Sequence, residues 1–69
     1  MFPYWVTCYS NLHATVEIAS FGFFNRSDAE AWFLTEPAIP GEVCRDLVKH
    51  EFGSVYRILE PTRHFTSVA

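Results

Sequence analysis

The sequence predicts an α+β domain of two layers with the element order ββααβ, in which two short helices cover one face of a three-stranded, mainly antiparallel sheet. Residues 4–21 are rich in aromatic and β-branched side chains and alternate in polarity, as paired strands do. Residues 28–52 instead carry apolar side chains at the three- and four-residue spacing of helices. The chain has 69 residues, of which 49% are hydrophobic, so we expect a single domain over 1–69.

The first two strands are expected to form a hairpin, with strands over 4–10 and 14–21 joined by a turn that Ser and Asn favour. Gly22 marks a bulge or the end of the second strand. Alternation gives the first strand two faces, one carrying Tyr4, Val6 and Cys8 and the other carrying Trp5, Thr7 and Tyr9. We expect the helices to cover the first face, together with Val16 and Ile18 of the second strand, and to leave the other face open.

The first helix is predicted over 28–35. Ser27 and Glu30, three residues apart, fit a capping box in which each side chain bonds a backbone amide at the start of the helix. Pro37 is expected to end the helix, because a residue that precedes proline is driven out of the helical region. The apolar stripe at helical spacing consists of Ala29, Trp32 and Phe33.

The second helix is predicted over 41–52. Pro40 favours the first turn of a helix, and Gly53 suits the left-handed conformation that ends many helices. The apolar stripe of this second helix consists of Val43, Cys44, Leu47, Val48 and Phe52.

The third strand is predicted over 54–60, where polarity alternates again before Pro61. It returns after the helices, and we expect it to lie beside the first strand. This leaves an ordered core over 4–60 and a loose tail over 62–69.

Charge and cysteine content exclude some classes of function. The formal net charge is −3, and the stretch 28–51 holds six acidic and two basic residues. Phosphate-backbone binding needs clustered Lys and Arg, so nucleic acid is a disfavoured partner and a basic protein is a compatible one. Two cysteines are too few for a disulfide framework, and the sequence shows neither a signal peptide nor a membrane-spanning run, so we expect a cytoplasmic protein without membrane contact.

The ligand and nucleophile side chains of the sequence form no recognised catalytic pattern. Cys8 with His13, and Cys44 with His50, lie at spacings that zinc sites do not use. No serine lies in a nucleophile elbow, and the sequence has no glycine-rich phosphate loop. We therefore expect a protein that is not an enzyme and that uses no cofactor or metal.

Candidate partner-binding residues fall in two groups. The open face of the predicted sheet carries residue types that are frequent in protein interfaces, with an acidic neighbour: Trp5, Tyr9, Arg57 and Glu17. The predicted helices carry an acidic patch: Asp28, Glu30, Glu42 and Asp46. The plainer interpretations are that the acidic residues form a solvated helix face, and that Phe65 and the tail cover Trp5 and Tyr9.

We expect a small protein-binding module that acts by contact. The strand–strand–helix–strand order resembles, in arrangement alone, compact inhibitors made by bacteriophages, and the resemblance implies an inhibitor of phage or mobile-element origin that occludes a host protein. One alternative is a structural homodimer joined through the open face or a strand edge. Another is a binder of single-stranded nucleic acid that stacks bases on Trp5 and Tyr9.

Overall fold

A computed structural model describes residues 2–51 and 55–65 of the chain. The elements in chain order are β1 (Tyr4–Tyr9), β2 (Glu17–Phe23), α1 (Arg26–Thr35), β3 (Cys44–Glu51), β4 (Val55–Ile58) and β5 (Arg63–His64). Within the described residues, all four strand pairings are antiparallel. β3 is central, with β1 and then β2 on one side of it and both β4 and β5 on the other.

The α+β class is confirmed, but the prediction of three strands and two helices is wrong. The segment expected to form a second helix, 41–52, contains β3 instead, and Pro40 lies in a turn where Gly41 has a φ of 84°. β3 is hydrogen-bonded on both sides and is buried from Cys44 to Val48. A strand buried on both faces has no alternation of polarity, and its apolar residues can fall at the spacing of a helix.

The predicted hairpin of β1 and β2 is confirmed, but different residues of β2 face the helix. The register between the strands shifts near Ile18. A bulge exchanges the faces to which the following side chains point. Phe21 and Phe23 therefore lie on the helix side, where both rings contact Trp32, whereas Val16 and Ile18 are exposed.

The side chain of Asn11 organises the turn between these strands, as the Ser and Asn residues of the sequence predict. Asn11 Oδ1 accepts hydrogen bonds from the amides of Thr15 and Val16, at 3.0 and 3.1 Å. Its Nδ2 donates to the Thr15 hydroxyl at 2.6 Å. One polar side chain thus replaces the backbone partners that a tighter turn would provide.

The helix α1 is confirmed, and it begins two residues earlier than predicted. Because the helix starts at Arg26, Ser27 lies inside its first turn and is not the N-cap of the predicted capping box. Glu30 pairs instead with Arg26, at 2.9 Å. The helix ends before Pro37 as predicted, since Glu36 takes an extended conformation.

The core lies between α1 and the sheet. Four buried side chains from three elements form it: Val6, Ala29, Phe33 and Leu47. Partly buried apolar side chains surround this cluster: Tyr4, Phe23, Trp32 and Leu59. The predicted helical stripe is therefore correct in phase, with Ala29 and Phe33 at its centre and Trp32 at its margin.

The carboxyl-terminal part of the chain completes the sheet on the side of β3 away from β1. The third predicted strand was expected beside β1, but β3 occupies that place, and β4 pairs with β3. Part of the predicted loose tail, 62–69, is ordered as β5, which pairs with the first two residues of β3. The predictions that concern 52–54 and 66–69 lie outside the described residues.

Candidate binding groove on the open face of the sheet

The face of the sheet opposite α1 forms a concave groove of about 540 Å³. The side chains that line it come from four strands: Trp5, Thr7 and Tyr9 of β1, Glu17 and Ser20 of β2, Asp46, Val48 and His50 of β3, and Ile58 of β4. They share a face because alternate side chains of a strand point the same way and the register sets Trp5 beside Val48. The central strands β1 and β3 thus form the floor of the groove.

At one end of the groove, the amino-terminal segment holds the Trp5 indole. Its Nε1–H donates to the Phe2 carbonyl oxygen at 2.8 Å, and the two rings meet edge to face with centroids 5.8 Å apart. The Phe2 ring lies over Gly22, where an added Cβ would be only 2.5 Å from Phe2 Cδ2. His50 stacks on Trp5 with ring centroids 5.8 Å apart. Trp5 is therefore a half-buried aromatic side chain in a defined position.

At the other end, the Tyr9 phenol lies close to two carboxylates. Burial raises the pKa of Tyr9, and the negative charges of Asp46 and Glu17, with a hydrogen bond to Asp46, raise the pKa further. Asp46 is 8% exposed, and the Thr62 hydroxyl donates to its Oδ1 at 2.6 Å. Tyr9 thus remains a neutral hydrogen-bond donor at neutral pH, and this end of the groove carries negative charge.

No Lys or Arg among the described residues lines the groove to balance that charge. Among the described residues, its lining contains the carboxylates of Glu17 and Asp46 and neither type of fixed cation. A carboxylate that is partly shielded from water attracts a cation more strongly than one in bulk solvent. The arrangement therefore favours a positively charged occupant and disfavours a phosphate.

The structure brings together some of the predicted partner-binding residues and separates others. Those that share the groove are Trp5, Tyr9, Glu17 and Asp46. Arg57 does not, because it lies opposite Lys49 in the register, on the face of the sheet that α1 covers. Its side chain is exposed there and forms an ion pair with Glu51 at 3.6 Å.

The acidic residues predicted to form one patch lie in three separate places. Asp28 and Glu30 are on α1, and Asp46 lines the groove on the opposite face of the sheet. Glu42 is buried in the loop before β3. The predicted patch does not exist as one surface, because the segment that carries Glu42 and Asp46 is not a helix.

Glu42 forms a buried ion pair with Arg45, and neither side chain is exposed. Arg45 Nε and Nη2 donate to the two carboxylate oxygens at 2.7 and 2.6 Å. Nη1 and Nη2 also donate to two backbone carbonyl oxygens just beyond α1, both at 3.0 Å. The guanidinium carbon lies 4.5 Å from the ring centroids of both Trp32 and Phe65. This pair joins the end of α1 to the sheet and is structural.

The Phe65 ring lies on the helix side of the sheet and not over the groove. It contacts the guanidinium groups of Arg45 and Arg63, at 4.5 and 4.7 Å from its centroid. Arg63 Nη1 donates to two carbonyl oxygens at the end of α1, at 2.8 and 3.0 Å. Two arginines of the sheet thus bind the negative end of a helix whose last turn has no basic residue. Phe65 therefore covers neither Trp5 nor Tyr9.

Sequence reasoning missed a large part of the groove lining. The residues it did not assign to this face are Ser20, Asp46, Val48, His50 and Ile58. Val48 was expected in the core, as part of the apolar stripe of the predicted second helix. A signal for β3 was present: if 44–51 is a strand, alternation places Asp46, Val48 and His50 on one face.

Both cysteines are buried and free, and we expect them to be unreactive in the folded protein. Burial, with a hydrogen bond to Glu42 and the charge of that carboxylate, raises the pKa of Cys8 to about 12. Burial and the nearby charge of Asp46 raise the pKa of Cys44, whose thiol donates to the Asn11 carbonyl oxygen at 3.2 Å. Because the thiolate is the reactive form, a chromogenic disulfide reagent at pH 8 should detect no thiol in buffer and both thiols in guanidinium. Fast reaction in buffer would contradict this burial.

Neither a metal centre nor a spanning helix is found in the part of the chain that the structure describes. Among residues 2–51 and 55–65, no three His, Cys, Asp or Glu side chains come together as metal ligands would. No helix in those ranges is long and apolar enough to cross a membrane.

Comparison with protein-family models, curated proteins and solved structures gives no match to this chain. Function is therefore inferred from the groove itself.

Proposed function

We propose that this chain is a small, non-catalytic protein-binding module whose partner occupies the groove. The observation that supports the proposal is a groove of about 540 Å³ with a half-buried aromatic side chain, Trp5 or Tyr9, towards each end. Trp and Tyr dominate binding energy in many interfaces, because each buries a large area with few rotatable bonds. The main buried cluster lies on the other side of the sheet, so these two rings are available to a partner.

The proposed mode of action is occlusion of a partner surface, and the proposed location is the cytoplasm. Binding by contact needs no catalytic group, and a partner bound in the groove has that part of its own surface covered. An inhibitor of phage or mobile-element origin would act in this way, by occluding a functional surface of a host protein. We place the protein in the cytoplasm, because two free and buried thiols suit a reducing compartment.

A second copy of the chain is the alternative partner, and the exposed edge of the sheet supports it. In the described sheet β2 is an edge strand, and Val16, which precedes it, and Ile18, which belongs to it, are 51% and 41% exposed. Antiparallel pairing of two β2 strands would cover the edge and both side chains. Size-exclusion chromatography with light scattering distinguishes these alternatives. If the partner of the groove is another protein, the purified chain should have the molar mass of a monomer.

Single-stranded nucleic acid is a weaker candidate. Trp5 and Tyr9 could stack bases as the aromatics of other open sheets do. Glu17 and Asp46, however, place negative charge beside Tyr9, where a phosphate backbone would have to pass. We expect no binding of labelled oligonucleotides even at low salt.

The decisive experiment removes both groove aromatics. In the variant Trp5→Ala with Tyr9→Ala, affinity for a partner captured from lysate should fall by at least about 100-fold, since truncating each hot-spot side chain costs about 2 kcal/mol or more. Circular dichroism and thermal unfolding establish that the variant is folded. Affinity is measured by biolayer interferometry with the purified partner.

Two further variants control this experiment. Leu12→Ala with Leu34→Ala removes two side chains that are 67% and 57% exposed outside the groove, and it should leave partner affinity unchanged. Ser20→Arg fills the groove from an exposed position on β2 without deleting a packed ring, and it should abolish binding. Full affinity in a folded Ser20→Arg variant would refute the groove as the binding surface.

A further inference from the structure

We propose that the groove recognises a basic side chain of its partner, arginine or lysine, and places the cationic head group at the acidic end beside Tyr9. This inference rests on the proposed function, and it specifies the chemistry of the residue that enters the groove. It follows from the distribution of charge, from the shape of the groove floor, and from an arginine that this same protein already holds.

Two carboxylates are available to one cation at this end of the groove. Asp46 is 8% exposed and uses Oδ1 to accept from the Thr62 hydroxyl, and Glu17 lies opposite Tyr9 in the register of β1 and β2, so the Tyr9 phenol has one carboxylate on each side. A guanidinium or ammonium beside Tyr9 would form a charge-assisted hydrogen bond with the shielded carboxylate of Asp46, and the exposed Glu17 would add its negative charge from the solvent side. An apolar group there would complete the burial of Asp46 without any new partner, which is unfavourable for a charged group.

The floor of the groove suits the long stem of a basic residue. Between its two ends the floor is formed by Thr7 and Val48, which lie on the adjacent central strands. The methylene groups of arginine or lysine bury themselves against such surfaces while the head group reaches a polar site. In the bound partner, an apolar residue next to the basic residue would contact the Trp5 ring at the other end of the groove.

The protein already holds one arginine with groups of the same kinds, carboxylate and aromatic ring. Arg45 is bound by the carboxylate of Glu42, with ring centroids of Trp32 and Phe65 4.5 Å from its guanidinium carbon. The groove offers a carboxylate pair and the ring of Tyr9 on the other face of the same sheet. Carboxylates combined with aromatic rings therefore form a setting in which this fold accommodates a guanidinium.

The test uses two small probes that differ in charge and hardly in shape. Nα-acetyl-arginine amide and its neutral isostere Nα-acetyl-citrulline amide are titrated into the ¹⁵N-labelled full chain and followed by NMR. We expect the arginine probe to give saturable shifts at the amides of Tyr9 and Asp46, with a dissociation constant on the order of 1–10 mM. The citrulline probe should bind at least about tenfold more weakly, because it lacks the charge.

A matched pair of charge variants ties the effect to the groove. Glu17→Gln should weaken arginine binding by several-fold, whereas Glu36→Gln removes the same charge from the exposed end of α1 and should change nothing. Equal binding of both probes, no saturable shift up to about 50 mM, or indifference to Glu17→Gln would each overturn cation recognition. If cation recognition fails in one of these ways but Ser20→Arg still loses partner capture, the protein-binding proposal stands and only the basic specificity is refuted. Arginine binding in the groove with undiminished capture by Ser20→Arg would instead support the cation site and refute the groove as the partner surface.

Discussion

Replacing Arg45 with alanine should lower the free energy of unfolding by about 3–5 kcal/mol, because it removes one partner of a buried ion pair. Glu42 would remain buried without its cation, and the carbonyl oxygens beyond α1 would lose their donors. A domain of this length has a total stability of roughly 3–10 kcal/mol, so a large fraction of the variant should be unfolded without denaturant. Urea unfolding followed by tryptophan fluorescence measures the loss.

Two variants show whether the pair is responsible. Arg26→Ala breaks the ion pair with Glu30 on the surface of α1, and should cost no more than about 0.5 kcal/mol. Glu42→Leu with Arg45→Met removes both charges together, and should be more stable than Arg45→Ala, since no unpaired buried charge remains. A loss below about 1 kcal/mol in Arg45→Ala would show that this buried cluster does not hold the helix to the sheet.

Replacing Phe33 with alanine is the second change with a large expected effect. Phe33 is 2% exposed and packs in the cluster with Val6 and Leu47. Truncation of a buried Phe leaves a cavity and costs about 3–5 kcal/mol. The neighbouring Leu34 is 57% exposed, and its truncation should cost no more than about 0.5 kcal/mol.

This pair of neighbours tests the orientation of α1 as well as the core. Both substitutions shorten an apolar side chain at the same turn of the same helix, so a change in helix propensity cannot explain a large difference between them. Thermal unfolding by circular dichroism is sufficient to compare them. Equal losses in the two variants would mean that α1 packs on the sheet with a different face.

Local pattern predicted the parts of the fold that depend on local interactions. The hairpin followed from alternation and from the turn residues around Asn11, and α1 followed from an apolar stripe that ends before Pro37. The face of β1 that carries Trp5 and Tyr9 was also assigned correctly, because alternation along one strand needs no knowledge of its neighbours.

The central strand could not be predicted in the same way. β3 is buried on both faces, and two of its buried residues, Arg45 and Asp46, are charged. Arg45 is satisfied by the nearby Glu42 and by carbonyl oxygens at the end of α1, and Asp46 is satisfied by Thr62, 16 positions away. Without those partners in view, a charged residue is expected on the surface, and the segment resembles an amphipathic helix.

The candidate site was half predicted for the same reason. Trp5, Tyr9 and Glu17 come from the correctly predicted hairpin. Asp46 was predicted as a binding residue, but as part of an acidic helix face. Its position next to Tyr9 depends on β3 lying beside β1. The acidic character of the groove is thus a property of the sheet order, which no single segment encodes.

The same sheet order also determines which step limits the rate of folding. Residues paired between β1 and β3 are 35 positions apart at Tyr9 and Cys44 and 45 apart at Tyr4 and Lys49. Closing so long a loop loses more chain entropy than forming the hairpin, so we expect the hairpin and α1 to form first and β3 to dock in the slow step. Before β3 pairs with β1, the edge of β1 is unpaired and carries the side chains of Trp5 and Val6. The chain is therefore most prone to aggregation before this docking step.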